Sequence, residues 1–135
     1  MLSFPKLSLT NLDLTGNRLG GKGLAAMYTA GLDRNQSLKS INLSDISISP
    51  LDHDMRGINT LARLIELHSC IIEIILLNNI FNSEGASILV KALNRNKNIT
   101  SFKVDTSLSQ KYYSALFRNG SKSTKKRKKS TKKKK

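Results

Sequence analysis

One hydrophobic phrase returns four times along the chain, and its period limits the fold more than any other feature. It reads L-T-N-L-D-L-T-G-N-R-L from Leu9 to Leu19 and L-K-S-I-N-L-S-D-I-S-I from Leu38 to Ile48. It returns as I-I-E-I-I-L-L-N-N-I-F from Ile71 to Phe81 and, degraded, as I-T-S-F-K-V-D-T-S-L-S from Ile99 to Ser109. The starts at 9, 38, 71 and 99 are 29, 33 and 28 residues apart. Within a copy, apolar and polar residues alternate, as at Leu12 and Leu14, which is the period of a strand. Gly16 and Asn17 then supply turn chemistry. A unit of this length has room for a strand, a turn and a helix. One such unit cannot bury its own apolar face, so the copies must stack.

The segments between the phrases carry helical spacing. Leu24, Met27 and Tyr28 fit one face after the first copy, with Leu32 a further turn along. After the second, Ser49 and Pro50 read as an N-cap and first-turn pair, with Asp52 and Asp54 favourable near a helix N-terminus. Leu51, Met55, Ile58, Leu61, Ala62 and Ile65 form the stripe that follows. Ala86, Leu89, Val90 and Leu93 share a face after the third copy, and Tyr112, Tyr113, Leu116 and Phe117 fit a short last helix.

The phrase L-x-x-L-x-L-x-x-N-x-L, joined to N-S-E-G-A-S-I-L-V-K-A-L from Asn82 to Leu93, resembles the ribonuclease-inhibitor-like class of leucine-rich repeats. Gly20, Gly23 and Leu24 are the weaker counterpart of that helix motif in the first copy, and the resemblance spans Leu9 to Phe117. It implies an α/β solenoid of three to four repeats, with a parallel sheet on the concave face and helices on the convex face. The expected body is residues 1–118, followed by a disordered Lys-rich tail over 119–135. The second copy departs from the pattern by placing Ile46 where the asparagine belongs, and that should loosen the asparagine ladder there. Residues Met1–Ser8 are too short for a polar cap, so the first strand is an open edge, or pairs with another copy, or the chain is a piece of a longer array, which is the favoured reading.

In such a sheet the third, fifth, seventh and eighth positions of each phrase point away from the core. Equivalent positions then form rows across the strands. One row is Asp13, Asn42, Ile75 and Lys103, and the next is Thr15, Ser44, Leu77 and Asp105. Glu73 belongs to the third copy of the same face. Ile75 and Leu77 are two large apolar side chains among polar neighbours, which fits a small binding centre with a polar rim. The expected partner-binding set is Asp13, Asn42, Ser44, Glu73, Ile75, Leu77, Lys103 and Asp105.

Charge is concentrated at the C-terminus. Of the 23 Lys and Arg residues, 10 lie beyond Gly120, where there is no acid at all. With no apolar residue to pack and like charges repelling, this stretch reads as disordered. Lys125, Lys126, Arg127, Lys128 and Lys129 fit a basic nuclear-import signal, and the same run suits nucleic-acid phosphates or, less well, an anionic membrane surface. No aromatic interleaves the lysines, so base stacking is not supported. Ser121, Ser123, Thr124, Ser130 and Thr131 sit where phosphorylation would cancel charge.

Catalytic chemistry has little to build on. One cysteine and two histidines give no nucleophile–base pair at suggestive spacing. The glycine-rich run Gly16–Gly23 lacks the G-K-S/T ending of a phosphate loop. Glu66, His68 and Cys70 alternate, yet a structural zinc site takes four ligands. The expectation is a non-enzymatic protein-interaction module with no cofactor, metal or small-molecule substrate, placed in the cytoplasm or nucleus because no secretory leader is apparent. Its partner is a protein, with nucleic acid or an import receptor engaged by the tail. The alternative is a tail-driven nucleic-acid-associated protein in which the repeats are scaffold. A small-GTPase-activating role is implied by some members of the resembling class, although those carry a long array and an acidic tail.

Overall fold

The computed structural model describes residues 9–48, 55–105 and 108–120. Each phrase contributes a three-residue strand: β1 (Asn11–Asp13), β2 (Ser40–Asn42), β3 (Glu73–Ile75) and β4 (Ser101–Lys103). Helices α1 (Gly20–Ala30), α2 (Arg56–Leu67) and α3 (Ser83–Asn94) return the chain from one strand to the next, and α4 (Gln110–Leu116) follows β4. The result is a mixed α/β body with the strands in chain order and β1 to β4 parallel. The helices also pack in chain order, α1 on α2, α2 on α3 and α3 on α4.

The register follows from burial. Leu12, Ile41, Ile74 and Phe102 are partners across the four strands, and the last three are fully buried. They meet the apolar stripes of the helices, including Leu24, Ile58, Leu61, Leu89 and Leu93. A one-residue slip of any strand would put its core side chain on the open face. Helices α2 and α3 bury most of the expected stripe, while α1 and α4 fully bury only Leu24 and Leu116. In α2, Ile58, Leu61, Leu64 and Ile65 are buried while Arg56, Asn59 and Arg63 are exposed. In α3, the Asn82 side chain accepts the Gly85 amide at 2.8 Å and closes the helix start. The Ser49–Pro50 start expected for the second helix lies outside the described residues.

The turns leaving the strands repeat in conformation. The eighth residue of the phrase is Gly16, Asp45 or Asn78, with φ of +81°, +53° and +56°. Glycine, aspartate and asparagine are the residues that enter the left-handed region most readily. The asparagine rung that Ile46 cannot supply to the first copy is seen one copy later, at Asn79. Asn79, from the third copy, accepts the Ile46 and Ile48 amides at 3.2 and 3.3 Å and donates to the Leu43 carbonyl at 2.8 Å. One asparagine thus serves two successive turns, and Ile46 is free to join the core, where it is fully buried.

The end of the chain's body also differs from expectation. After α4 the chain reverses into β5 (Arg118–Asn119), antiparallel to β4, with Asn119 opposite Ser101 and Arg118 opposite Phe102. The Gly120 amide donates to the Thr100 carbonyl at 2.8 Å, which continues the pairing two residues past the end expected for the body. The Arg118 guanidinium donates to the carbonyls of Leu93, Asn96 and Ile99 at 3.1, 3.2 and 2.6 Å. These carbonyls include Leu93 at the C-terminal end of α3, where a cation is favourable and which also accepts the Asn96 amide at 3.1 Å. The Lys-rich stretch after Gly120 lies outside the described residues.

Helices α1 and α2 touch backbone to backbone at Gly21 and Gly57. A Cβ on Gly21 would stand 2.7 Å from the Gly57 nitrogen and 3.0 Å from its Cα. On helix propensity alone Gly21→Ala should stabilise by roughly 1 kcal/mol. Here the sign should reverse, because neither backbone can yield, and the variant should lose about 1–3 kcal/mol. Urea unfolding of Gly21→Ala beside Lys22→Ala, an exposed neighbour on the same helix, measures the difference.

Candidate functional site

The open face of the sheet lies opposite the helices, and alternation along β1 to β4 decides what stands on it. Asp13, Asn42, Ile75 and Lys103 are aligned in register, as the spacing of the phrases predicts. Beside them runs the row Asn11, Ser40, Glu73, Ser101, closed by Asn119 of β5. Glu73 is its centre. Its carboxylate accepts the Ser40 hydroxyl at 2.9 Å and the Ser101 hydroxyl at 3.1 Å, with Lys103 Nζ at 3.9 Å. Three strands are therefore linked through one side chain on the open face.

Most of the polar residues expected to contact a partner are occupied within the fold. Asp13 accepts both the hydroxyl and the amide of Thr15, and these bonds, the hydroxyl's above all, hold its pKa below the ordinary carboxylate value. Asn42 accepts the Ser44 amide at 3.0 Å. Asp105 accepts the Asn78 amide at 2.7 Å, reaching across to the preceding turn. Ser44 needs a correction. It is buried rather than presented, and its hydroxyl accepts the Leu77 amide at 3.0 Å. A small side chain that bonds the neighbouring turn is drawn under it, so Ser44 supports Leu77 and leaves the contact surface.

The apolar pair stands differently. Ile75 is half-buried between Asn42 and Lys103, and Leu77 is 37% exposed. Ile80, three residues on, is 55% exposed beside a groove of about 210 Å³ that includes Phe81, Leu108 and Tyr112. The spacing argument missed Ile80 because it lies beyond the alternating part of the phrase, where no face can be assigned from period. Its apolar type in a turn of otherwise polar residues was the available signal.

A second set escaped the sequence reading altogether. At the corners where helices enter strands, Asn35, His68 and Asn96 each precede the first residue of the next phrase by three, and all are buried. Asn35 Oδ1 accepts the Ser37 and Leu38 amides at 3.0 and 2.7 Å. Asn96 Oδ1 accepts the Asn98 amide at 2.9 Å. His68 Nδ1 takes the same role, accepting the Cys70 and Ile71 amides at 3.2 Å each. Aligning the phrases three residues further back gives Asn, His, Asn and makes the row visible. It also disposes of the alternating Glu66, His68 and Cys70 as a unit: Glu66 pairs with Arg95 at 2.9 Å, His68 holds the corner, and the Cys70 thiol donates to the Gln36 carbonyl at 3.2 Å. No group of three or more His, Cys, Asp or Glu side chains among the described residues is placed to hold a metal ion. No helix among them is long and apolar enough to cross a membrane.

His68 makes the body sensitive to acid. Its Nδ1 is an acceptor, so the neutral ring carries its proton on Nε2, which is buried without a hydrogen-bond partner among the described residues. Burial lowers its pKa below the usual 6.5. Between these two values the unfolded chain binds more protons than the folded one, so stability falls as pH drops below about 6.5 and levels off once the folded ring protonates. His68→Asn keeps the acceptor that Asn35 and Asn96 use and removes the titration. Unfolding midpoints followed from pH 7 downward should decline less steeply for His68→Asn than for the natural chain. No family model and no curated protein sequence matches the chain, so its function is argued from this geometry.

Proposed function

We propose that the body is a short leucine-rich-repeat solenoid that works as a protein-interaction module rather than an enzyme, with its contact surface centred on Ile75 and Leu77. The observation that carries this reading is the row Asp13, Asn42, Ile75, Lys103, in which one copy of the phrase departs from polar residues. The polar neighbours already have partners inside the fold, so desolvating them against another protein leaves few bonds to be lost. The apolar pair gains from burial and lies near the middle of the sheet, flanked by strands on both sides. That is the arrangement of a small central anchor with a satisfied rim.

The Lys-rich tail is the second part of the proposal. It supplies import-receptor recognition or polyanion binding through Lys125, Lys126, Arg127, Lys128 and Lys129, and it suits a protein of the nucleus or cytoplasm. The two parts separate by salt. Apolar contact at Ile75 and Leu77 should survive raised ionic strength, whereas phosphate binding should collapse.

The test uses the full chain as bait in affinity capture, beside Ile75→Asp/Leu77→Asp. Proteins retained at high salt by the natural chain should fall by more than tenfold with the double variant, in keeping with about 2 kcal/mol or more for a buried anchor. Far-UV circular dichroism should be unchanged, since both positions are on the open face. Equal capture by both proteins would remove this surface from consideration.

A further inference from the structure

We infer that the partner's contact element is an amphipathic helix, laid along β3 on an apolar stripe that runs the length of the third copy. The inference rests on the reading of Ile75 and Leu77 given above and names what covers them. The stripe is longer than that pair. Among the described residues, the exposed large apolar side chains are Leu67, Ile72, Leu77 and Ile80, and all belong to this one copy. Leu67, 63% exposed, stands at the corner position that Arg34 and Arg95 fill in the copies on either side. Ile72, 42% exposed, takes the second place of the phrase, which is Thr10, Lys39 and Thr100 elsewhere. Ile80 takes the tenth place, which is Arg18 and Ser47 in the first two copies. From entry corner to exit turn the third copy is apolar where its neighbours are polar.

Width, length and backbone bonding select a helix. Ser40 and Asn42 border the stripe on one side and Ser101 and Lys103 on the other, each about 5 Å away. The partner must then present one line of apolar groups with polar groups on both sides, as an amphipathic helix does. From Ile72 to Leu77 the strand spans about 16 Å, which is about three helical turns. An extended segment would need partners for its own amides and carbonyls. The face has little to offer them. Asn42 Oδ1 holds the Ser44 amide, the Glu73 carboxylate holds two hydroxyls, and β3 is paired on both edges. A helix satisfies its backbone internally and needs only the apolar contact.

Charge gives the stripe two unlike ends. At the entry end the Ile72 amide donates to the Lys39 carbonyl at 2.8 Å, and Lys97 stands at the next corner. Both lysines are exposed, with no ion-pair partner among the described residues. At the exit end Leu77 lies between two acids. The Asp45 amide donates to its carbonyl at 2.8 Å, and the Asp105 carboxylate accepts the following amide, that of Asn78, at 2.7 Å. Lys111 of α4 lies over the Tyr112 ring at 5.1 Å. The complementary helix carries acids at the end over the strand entry and bases at the end over the exit turn.

The experiment selects binders of the full chain from a displayed library of random peptides about 16 residues long, enough for four helical turns. Enriched sequences should carry apolar residues at i, i+3 or i+4, and i+7, with acids toward one end and bases toward the other. Synthetic copies should gain helical circular dichroism on binding. Ile72→Ser/Ile80→Ser should bind them about tenfold more weakly with its thermal unfolding unchanged, and Ile75→Asp/Leu77→Asp more weakly still. Selection repeated on Lys39→Glu/Lys97→Glu should lose the preference for acids at one end. Enriched peptides with apolar residues at every second position would overturn the helix. Undiminished binding by Ile72→Ser/Ile80→Ser would overturn the stripe. No enrichment by the natural chain, with protein capture still lost in Ile75→Asp/Leu77→Asp, would overturn the helix and leave the reading of the pair in place. Equal binding of the selected peptides by Ile75→Asp/Leu77→Asp would remove both.

Discussion

The row Leu12, Ile41, Ile74, Phe102 is the constraint on which everything else hangs. Its members are register partners across four parallel strands, and three of them are fully buried. Once that row faces the helices, the residues on either side of it must face outward, since side chains alternate along a strand. The open face is thus a consequence of the core. Ile75 stands between Asn42 and Lys103 because Ile74 stands between Ile41 and Phe102. The same register sends the chain out through equivalent turns, left-handed at Gly16, Asp45 and Asn78 alike.

Short strands make a weak sheet by themselves, and the structure compensates with side chains that cross between copies. Asn79 ties the second and third turns, Glu73 ties β2, β3 and β4, and Asp105 reaches the turn at Asn78. At the other end of the strands Asn96 donates to the Ile65 and His68 carbonyls of the preceding copy at 2.9 and 3.0 Å. Two of these groups, Glu73 and Asp105, hold positions that a reading from period alone assigns to a partner. Ser44 is the clearest case, being drawn under Leu77. What remains open on that face is the apolar pair, Ile75 half-buried and Leu77 37% exposed.

The two ends of the sheet are unlike. At the β4 edge the chain folds back as β5, and Arg118 closes the end of α3 with three carbonyl bonds. At the β1 edge Leu9, Leu12, Leu14 and Leu19 are only partly buried. The reversal at β5 also decides where the basic stretch starts, which a linear view of the charge distribution cannot give.

Four phrase starts, read off the chain, determined the strands, their parallel order and the row that contains Ile75, because a repeat of fixed hydrophobic pattern has only one way to stack its copies and bury them. The stripes of α2 and α3 were equally legible, since their apolar residues fall at the period of a helix over a full three turns. The corner row of Asn35, His68 and Asn96 was written in the sequence but hidden by attention to leucines. Only the tertiary structure decided the rest. Whether a polar side chain is spent on a neighbouring copy or left open depends on distances across about 30 residues of sequence, which period does not encode. The backbone contact of Gly21 with Gly57 and the reversal into Arg118–Asn119 are of the same kind. Each joins segments whose local patterns carry no sign of the other, so only their meeting in space fixes what they do.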